Sequence, residues 1–213
     1  QIRTNLQFSS SKSQGKVFLT SSPGPGDGKS TLISNLAVAI AQTGKKVIIF
    51  DGDLRRPTVH RRFKNISRDI GLSNYLSDNT ATFDSVVQNT TVSGIDVVTS
   101  GPIPPNPSEL LNLDKMVKLL EDLKKQYDII LFDTPPLLAV TDPYILMKHV
   151  DHTVIVVRAG ITQKLGLERV LTSIRNRGFK ETGIVFNGIN ETNSYGSGYY
   201  YNYYQYYYSE NQT

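Results

Sequence analysis

"SSPGPGDGKST" (Ser21–Thr31) separates a short apolar run, Lys16–Ser21, from a stretch with helical spacing that begins near Gly28. A glycine-rich turn between a strand and a helix presents backbone N–H groups at the helix N-terminus, an arrangement that holds phosphate oxygens. Gly26, Asp27, Gly28, Lys29, Ser30 and Thr31 then form a nucleotide-binding loop, with Lys29 reaching the β- and γ-phosphates and the Ser30 hydroxyl on Mg²⁺. The strict pattern asks for glycine six positions before the lysine, where this chain has Pro23. The competing reading is a glycine-rich connection into a helix with no ligand at all.

Working outward, β-branched apolar runs at Lys16–Ser21, Lys46–Asp51, Ile95–Thr99, Asp128–Asp133, His152–Val157 and Gly183–Phe186 predict strands. Three- and four-residue apolar spacing predicts helices over Gly28–Gln42, Leu113–Lys125 and Thr162–Arg177. Strands alternating with helices define an α/β chain with a mostly parallel sheet flanked by helices, which with the phosphate loop gives a P-loop NTPase fold. "GPIPPNPSELL" (Gly101–Leu111) reads as a rigid connector with a helix starting at Ser108. The 213 residues suit one domain, residues 1–190, followed by residues 191–213, a flexible tail that holds nine of the twelve tyrosines. No apolar run approaches the roughly 18 residues of a membrane span, so the chain reads as soluble. The absence of cysteine excludes disulfides and thiolate zinc sites, and the net charge of +4 demands no nucleic acid.

Mg²⁺ takes hard oxygen ligands, usually one or two carboxylates beside phosphates and waters. "KVIIFDGD" puts Asp51 and Asp53 at the end of one predicted strand and "DIILFDTPP" puts Asp133 at the end of another. Ligands of open parallel sheets bind beyond the carboxyl ends of the strands, so these acids and the phosphate loop should converge. Each aspartate could instead cap the element that follows it.

"PGDGKST", "IIFDGDLRRPTVH" and "IILFDTPPLLAVTD", with "TSGPIPPNPSELL" between the last two, resemble the bacterial tyrosine autokinases of capsule and exopolysaccharide synthesis. The resemblance runs from Ile2 to about Asn190. It implies an ATP- and Mg²⁺-dependent tyrosine kinase in which Lys29 and Ser30 are the Walker A pair and Asp133 is the Walker B acid. Asp51 and Asp53 would form a second acidic motif, one acid on the metal through water and one accepting the tyrosine proton. On this resemblance Asp51 would be the base and Ser30, Asp53 and Asp133 the metal set, with the roles of Asp51 and Asp53 exchangeable because sequence fixes their proximity and not their aim. Asn187 would contact adenine. The tail tyrosines Tyr195, Tyr199, Tyr200, Tyr201, Tyr203, Tyr204, Tyr206, Tyr207 and Tyr208 would be the kinase's own substrate.

As partners the resemblance implies further copies of the chain in a ring, a membrane-spanning co-polymerase region of the Wzc type, fused or separate, and a cognate tyrosine phosphatase. The place would be the cytoplasmic side of the bacterial inner membrane. The family's ring motif, acidic-x-x-Arg-x-x-Arg, is represented only by Arg3, so a truncated chain and weakened ring formation are expected.

Leu54–Arg68 concentrates cations and reads either as a solvated helix face or as a functional surface, with Arg55 and Arg56 near the transferring phosphate or at a subunit contact and His60 to Lys64 meeting an acidic neighbour. His60, His149 and His152 have no metal-site spacing. Two rivals compete with the kinase reading. A MinD- or ParA-like ATPase switch would carry a signature lysine, and none occurs between Thr20 and Asp27. An ATP-binding scaffold would use the tail only as an interaction segment.

Overall fold

The computed structural model describes residues 15–179 and 181–189. The 190/191 boundary, the nine tail tyrosines and Arg3 lie outside the described residues.

Seven strands form a single sheet in the order β3-β4-β2-β5-β1-β6-β7. They are β1 Lys16–Ser21, β2 Val47–Asp51, β3 Gln88–Asn89, β4 Ile95–Val98, β5 Ile129–Asp133, β6 His152–Arg158 and β7 Thr182–Asn187. All pairings are parallel except β3 with β4. The helices are α1 Lys29–Ala41, α2 Leu72–Ser77, α3 Pro107–Leu111, α4 Asp114–Gln126, α5 Asp142–Leu146 and α6 Lys164–Asn176.

Successive strand residues point to opposite faces, and here both faces are covered. Phe18, Val47, Ile49, Ile129 and Leu131 pack on one side with Ile33, Leu36, Ala37 and Ile40 of α1. Val17, Leu19, Ile48, Phe50, Ile130 and Phe132 pack on the other against Met116, Leu119, Leu120 and Leu123 of α4 and Val170 and Ile174 of α6. Phe50 and Phe132 stack across β2 and β5 with ring centroids 4.8 Å apart.

The six predicted strands and three predicted helices all form, with no end displaced by more than two residues. The connector at Gly101–Leu111 does contain a helix, but it starts at Pro107, whose fixed φ and missing N–H suit a first helical turn. Three short elements, α2, α5 and β3, were not anticipated from the sequence.

Candidate functional site

Strands β1, β5 and β2 are neighbours, and Asp51 pairs in register with Asp133 at their carboxyl ends. The phosphate loop leaves β1 at the same edge. Gly28, the residue before α1, has φ +95°, and a Cβ there would collide with the Asn187 side chain. The backbone conformation favours glycine there, and any larger residue would also have to push the Asn187 amide off its bond to the Asp27 carbonyl.

The loop is braced from within and from the β6–β7 side. The Ser22 hydroxyl donates to the Gly24 carbonyl at 2.6 Å. Asp27, 1% exposed, accepts from Gly24 N at 3.2 Å and from Thr162 Oγ1 at 2.8 Å. The Arg158 guanidinium donates to the Gly26 carbonyl at 3.1 Å, and Asn187 Nδ2 donates to the Asp27 carbonyl at 2.9 Å. The Asp27 carboxylate is thus spent on the loop and could serve a phosphate only through its backbone N–H. The Asn187 amide nitrogen is likewise committed to the loop. Gly26 and Thr31 are exposed at the surface, with Lys29 and Ser30 half-buried.

Asp51 is fully buried, and its Oδ2 accepts from the N–H groups of Thr58 and Val59, both at 2.9 Å. Its Oδ1 and the Asp133 Oδ1 are buried with no hydrogen-bond partner among the described residues. Burial, then the Asp133 charge, pushes the Asp51 carboxyl up to about 8 against the pull of those two amides. Burial raises Asp133 to about 6, the Ser30 hydroxyl and the charges of Lys29 and Arg62 pulling it back while Asp53 pushes it up. Asp53 is only half-buried, and its Oδ1 accepts from the N–H groups of Arg55 at 3.1 Å and Arg56 at 2.8 Å.

Two buried carboxylate oxygens left bare at a shared edge are costly unless a cation or proton satisfies them. Asp51, Asp53 and Asp133 do not make a protein-only metal cage, and no such group occurs among the described residues. That matches Mg²⁺, which keeps waters and phosphate oxygens in its shell. The residues present fit a Mg²⁺-nucleotide.

Several contributors escaped sequence reasoning. Thr58 Oγ1 donates to Ser30 Oγ at 2.9 Å, joining the segment after β2 to the phosphate loop. Arg55, expected near phosphate or at a subunit contact, donates to the fully buried Asp142 through Nε at 2.7 Å and Nη2 at 3.1 Å, while Ser108 Oγ donates to Asp142 Oδ1 at 2.6 Å. Burial acts to raise the Asp142 carboxyl, but the bonds from Arg55 and Ser108 hold it below its ordinary range. Neither the helix that Asp142 opens nor its arginine partner 87 residues away was anticipated from the sequence.

This fold and site define a P-loop nucleotide-binding protein. A family model described as an AAA domain matches residues 21–182. Over 199 residues the chain is 41% identical to the tyrosine-protein kinase YwqD of Bacillus subtilis, covering 93% of this chain and 83% of that protein. It belongs to the bacterial tyrosine-protein kinases. The tyrosine-protein kinase etk of Escherichia coli is 36% identical over 88% of this chain, which spans only 26% of that longer protein. The solved etk kinase domain superposes with a TM-score of 0.84 at 35% identity, over 91% of this chain and 75% of the other. A ParA family ATPase from Chlorobium tepidum, at 18% identity and TM-score 0.68 over 81% of this chain and 73% of its own, shares the fold alone.

Proposed function

We propose that the chain is an ATP- and Mg²⁺-dependent protein tyrosine kinase that phosphorylates the C-terminal tyrosine cluster of another copy of itself. The observation that carries the reading is the juxtaposition of the braced phosphate loop with the bare oxygens of Asp51 and Asp133, in a chain of this family that ends in nine clustered tyrosines. The N–H groups of Gly26 to Thr31 and the Lys29 ammonium hold the phosphates, and Ser30 and Asp133 hold the metal. When bound, Mg²⁺ supplies neutralisation of the charge that builds on the phosphate oxygens.

Burial favours Asp51 as the third, water-mediated contact to the metal and Asp53 as the base. Asp51 is closed off from a bulky phenol by its complete burial, with Oδ2 also taken by two backbone N–H groups, whereas Asp53 is half-exposed and held in aim by the Arg55 and Arg56 amides. The tyrosine oxygen forms its bond to the γ-phosphorus as the bond to the β–γ bridging oxygen breaks. ADP leaves, and Asp53 takes the phenolic proton. A phenol with pKa about 10 needs such an acceptor, while alignment and charge neutralisation supply most of the rate.

The biological setting proposed is control of capsule or exopolysaccharide polymerisation and export at the cytoplasmic side of the inner membrane. A membrane-spanning co-polymerase region, fused or separate, is the assembly partner, and a tyrosine phosphatase resets the tail. Among the described residues no helix is long and apolar enough to cross a membrane. Asn187 remains a proposed adenine contact, through its side-chain oxygen. Lys29→Met removes a phosphate-binding charge from a half-buried loop position and no core volume. Incubation with labelled ATP should mark tyrosine in the parent protein and leave this variant unlabelled but folded. Hydrolysis without tyrosine labelling in the parent would instead favour the ATPase switch.

A further inference from the structure

Between Leu54 and Arg68 the chain carries six cationic side chains, Arg55, Arg56, Arg61, Arg62, Lys64 and Arg68, and no carboxylate. Among the described residues only Arg55 of the six forms an ion pair, with Asp142; the other five are exposed and form none, although the Arg62 charge acts on Asp133. This segment is not a loose loop. Val59 is fully buried, and Phe63 and Ile66 pack against the same core face as α1. Its far end is tied to β3 by a pair of bonds, Ser67 N to Gln88 Oε1 at 2.9 Å and Gln88 Nε2 to the Ser67 carbonyl at 2.8 Å. Three apolar anchors therefore hold the backbone down while the cations between them face solvent. The near end is bound to the active site itself, through Thr58 and Val59 on Asp51 and Thr58 on Ser30. The cations also neighbour one another: His60, partly buried, has its imidazole lowered by burial and then by the charges of Arg68 and Arg61. Holding so many like charges on a fixed surface disfavours the bare protein and favours a polyanionic ligand.

The sequence contains one segment that becomes such a ligand. Residues 190–213 carry two glutamates, no lysine, arginine or histidine, and nine tyrosines. Each transferred phosphate adds about −1.5 to −2 charges and three acceptor oxygens suited to arginine. The same charge excludes a phosphorylated tail from the acidic edge formed by Asp51, Asp53 and Asp133 and draws it to the cations beside that edge.

We propose that Arg56, Arg61, Arg62, Lys64 and Arg68 form a phosphotyrosine-binding strip for the phosphorylated C-terminal tail of another copy of this chain. The inference rests on the kinase reading for the origin of the phosphates. A tail held there after its first transfer keeps its remaining tyrosines at high effective concentration near the acids, so modification of the cluster is processive.

Binding of fluorescent peptides with the sequence of residues 195–208 to the full chain, without ATP, tests the strip separately from kinase activity. A synthetic peptide carrying three phosphotyrosines should bind at least about tenfold more tightly than its unphosphorylated form at low salt, and the difference should shrink as salt rises. The variant Arg61→Gln/Lys64→Gln/Arg68→Gln changes only exposed side chains and should lose most of that preference with an unchanged melting temperature. In labelling reactions stopped early, mass spectrometry should find unmodified and multiply phosphorylated tails together in the parent, and singly phosphorylated tails first in the variant. Equal affinity for the two peptides would overturn the proposal, as would a variant that keeps the preference. Binding to vesicles containing phosphatidylserine that is lost in the variant, without any peptide preference, would assign the strip to a membrane surface instead. Failure of tyrosine labelling alongside tight phosphopeptide binding would remove the kinase reading and leave the strip standing.

Discussion

Asp51 and Asp133 carry opposite consequences for stability and for chemistry. Each carboxyl is raised above its ordinary value of 3.8, to about 8 and about 6, mainly by burial. The folded protein therefore keeps protons that the unfolded chain has already released. The stability these protons confer is complete below about pH 4 and is lost as pH climbs to about 8. In metal- and nucleotide-free protein the melting temperature should accordingly be lower at pH 8.5 than at pH 5.5, and Mg²⁺ with a non-hydrolysable nucleotide should narrow the gap, since a ligand bound only to the folded state adds stability. Asp133→Asn keeps the shape and removes one buried charge. At pH 8 without metal it should melt higher by roughly 2–4 °C per kcal/mol gained, while tyrosine labelling falls to background. A variant that melts lower, or one that still labels with unchanged magnesium dependence, would show that Asp133 is not a metal acid held at a cost to stability.

Among the elements, those with strong local signals were legible and those built from distant contacts were not. The strands that carry the site, β1, β2 and β5, announce themselves as β-branched runs closed by serine or aspartate, and α1 by Ile33, Leu36, Ala37 and Ile40 behind a glycine-rich turn. The six- and five-residue helices α2 and α5 are barely one and a half turns, too short for a 3.6-residue period to register, and β3 pairs over two residues only; α3, as short, was legible only from the end of the proline-rich run before it. Lys29, Ser30, Asp51, Asp53 and Asp133 could be found because each closes or follows such a run. The braces from Thr58, Thr162 and Arg158 and the Arg55–Asp142–Ser108 cluster could not, since only the folded sheet brings those elements together. That cluster couples the turn holding Asp53 to α3 and α5. Arg55→Ala would leave a fully buried carboxylate with Ser108 alone. The cost should approach the lower end of the ~3–5 kcal/mol seen for broken buried pairs, because the arginine side chain is 41% exposed. Slackened aim of Asp53 should also lower the labelling rate at saturating ATP. Chemical denaturation and single-time-point labelling check both, and a variant with parental stability would mean that the cluster is solvated ornament on the fold.

At the scale of the whole molecule the question is whose tail reaches whose site. The last described strand, β7, ends at Asn187, which bonds the phosphate loop from the β6 side, whereas Asp53 follows β2 on the far side of β1 and β5. Four strand spacings, about 19 Å, separate the two edges, and the eight residues from Asn187 to Tyr195 span at most about 29 Å when extended. Chain length alone therefore permits a tail to reach its own acids. The direct path, however, crosses the phosphate loop, where Lys29 and the loop N–H groups hold the triphosphate in the proposed reaction, so a tail cannot lie across its own loop and leave that loop loaded. A tail arriving from a neighbour meets no such conflict, and transfer should run between molecules. Lys29→Met protein with an intact tail, mixed with active protein lacking residues after Asn190, should acquire label on tyrosine, because the only competent site and the only tail then sit on different chains. For the parent protein the initial rate per molecule should rise with concentration before saturating. A rate independent of dilution, with no label on the inactive partner, would place transfer within one chain and require the tail to pass around the loop rather than over it.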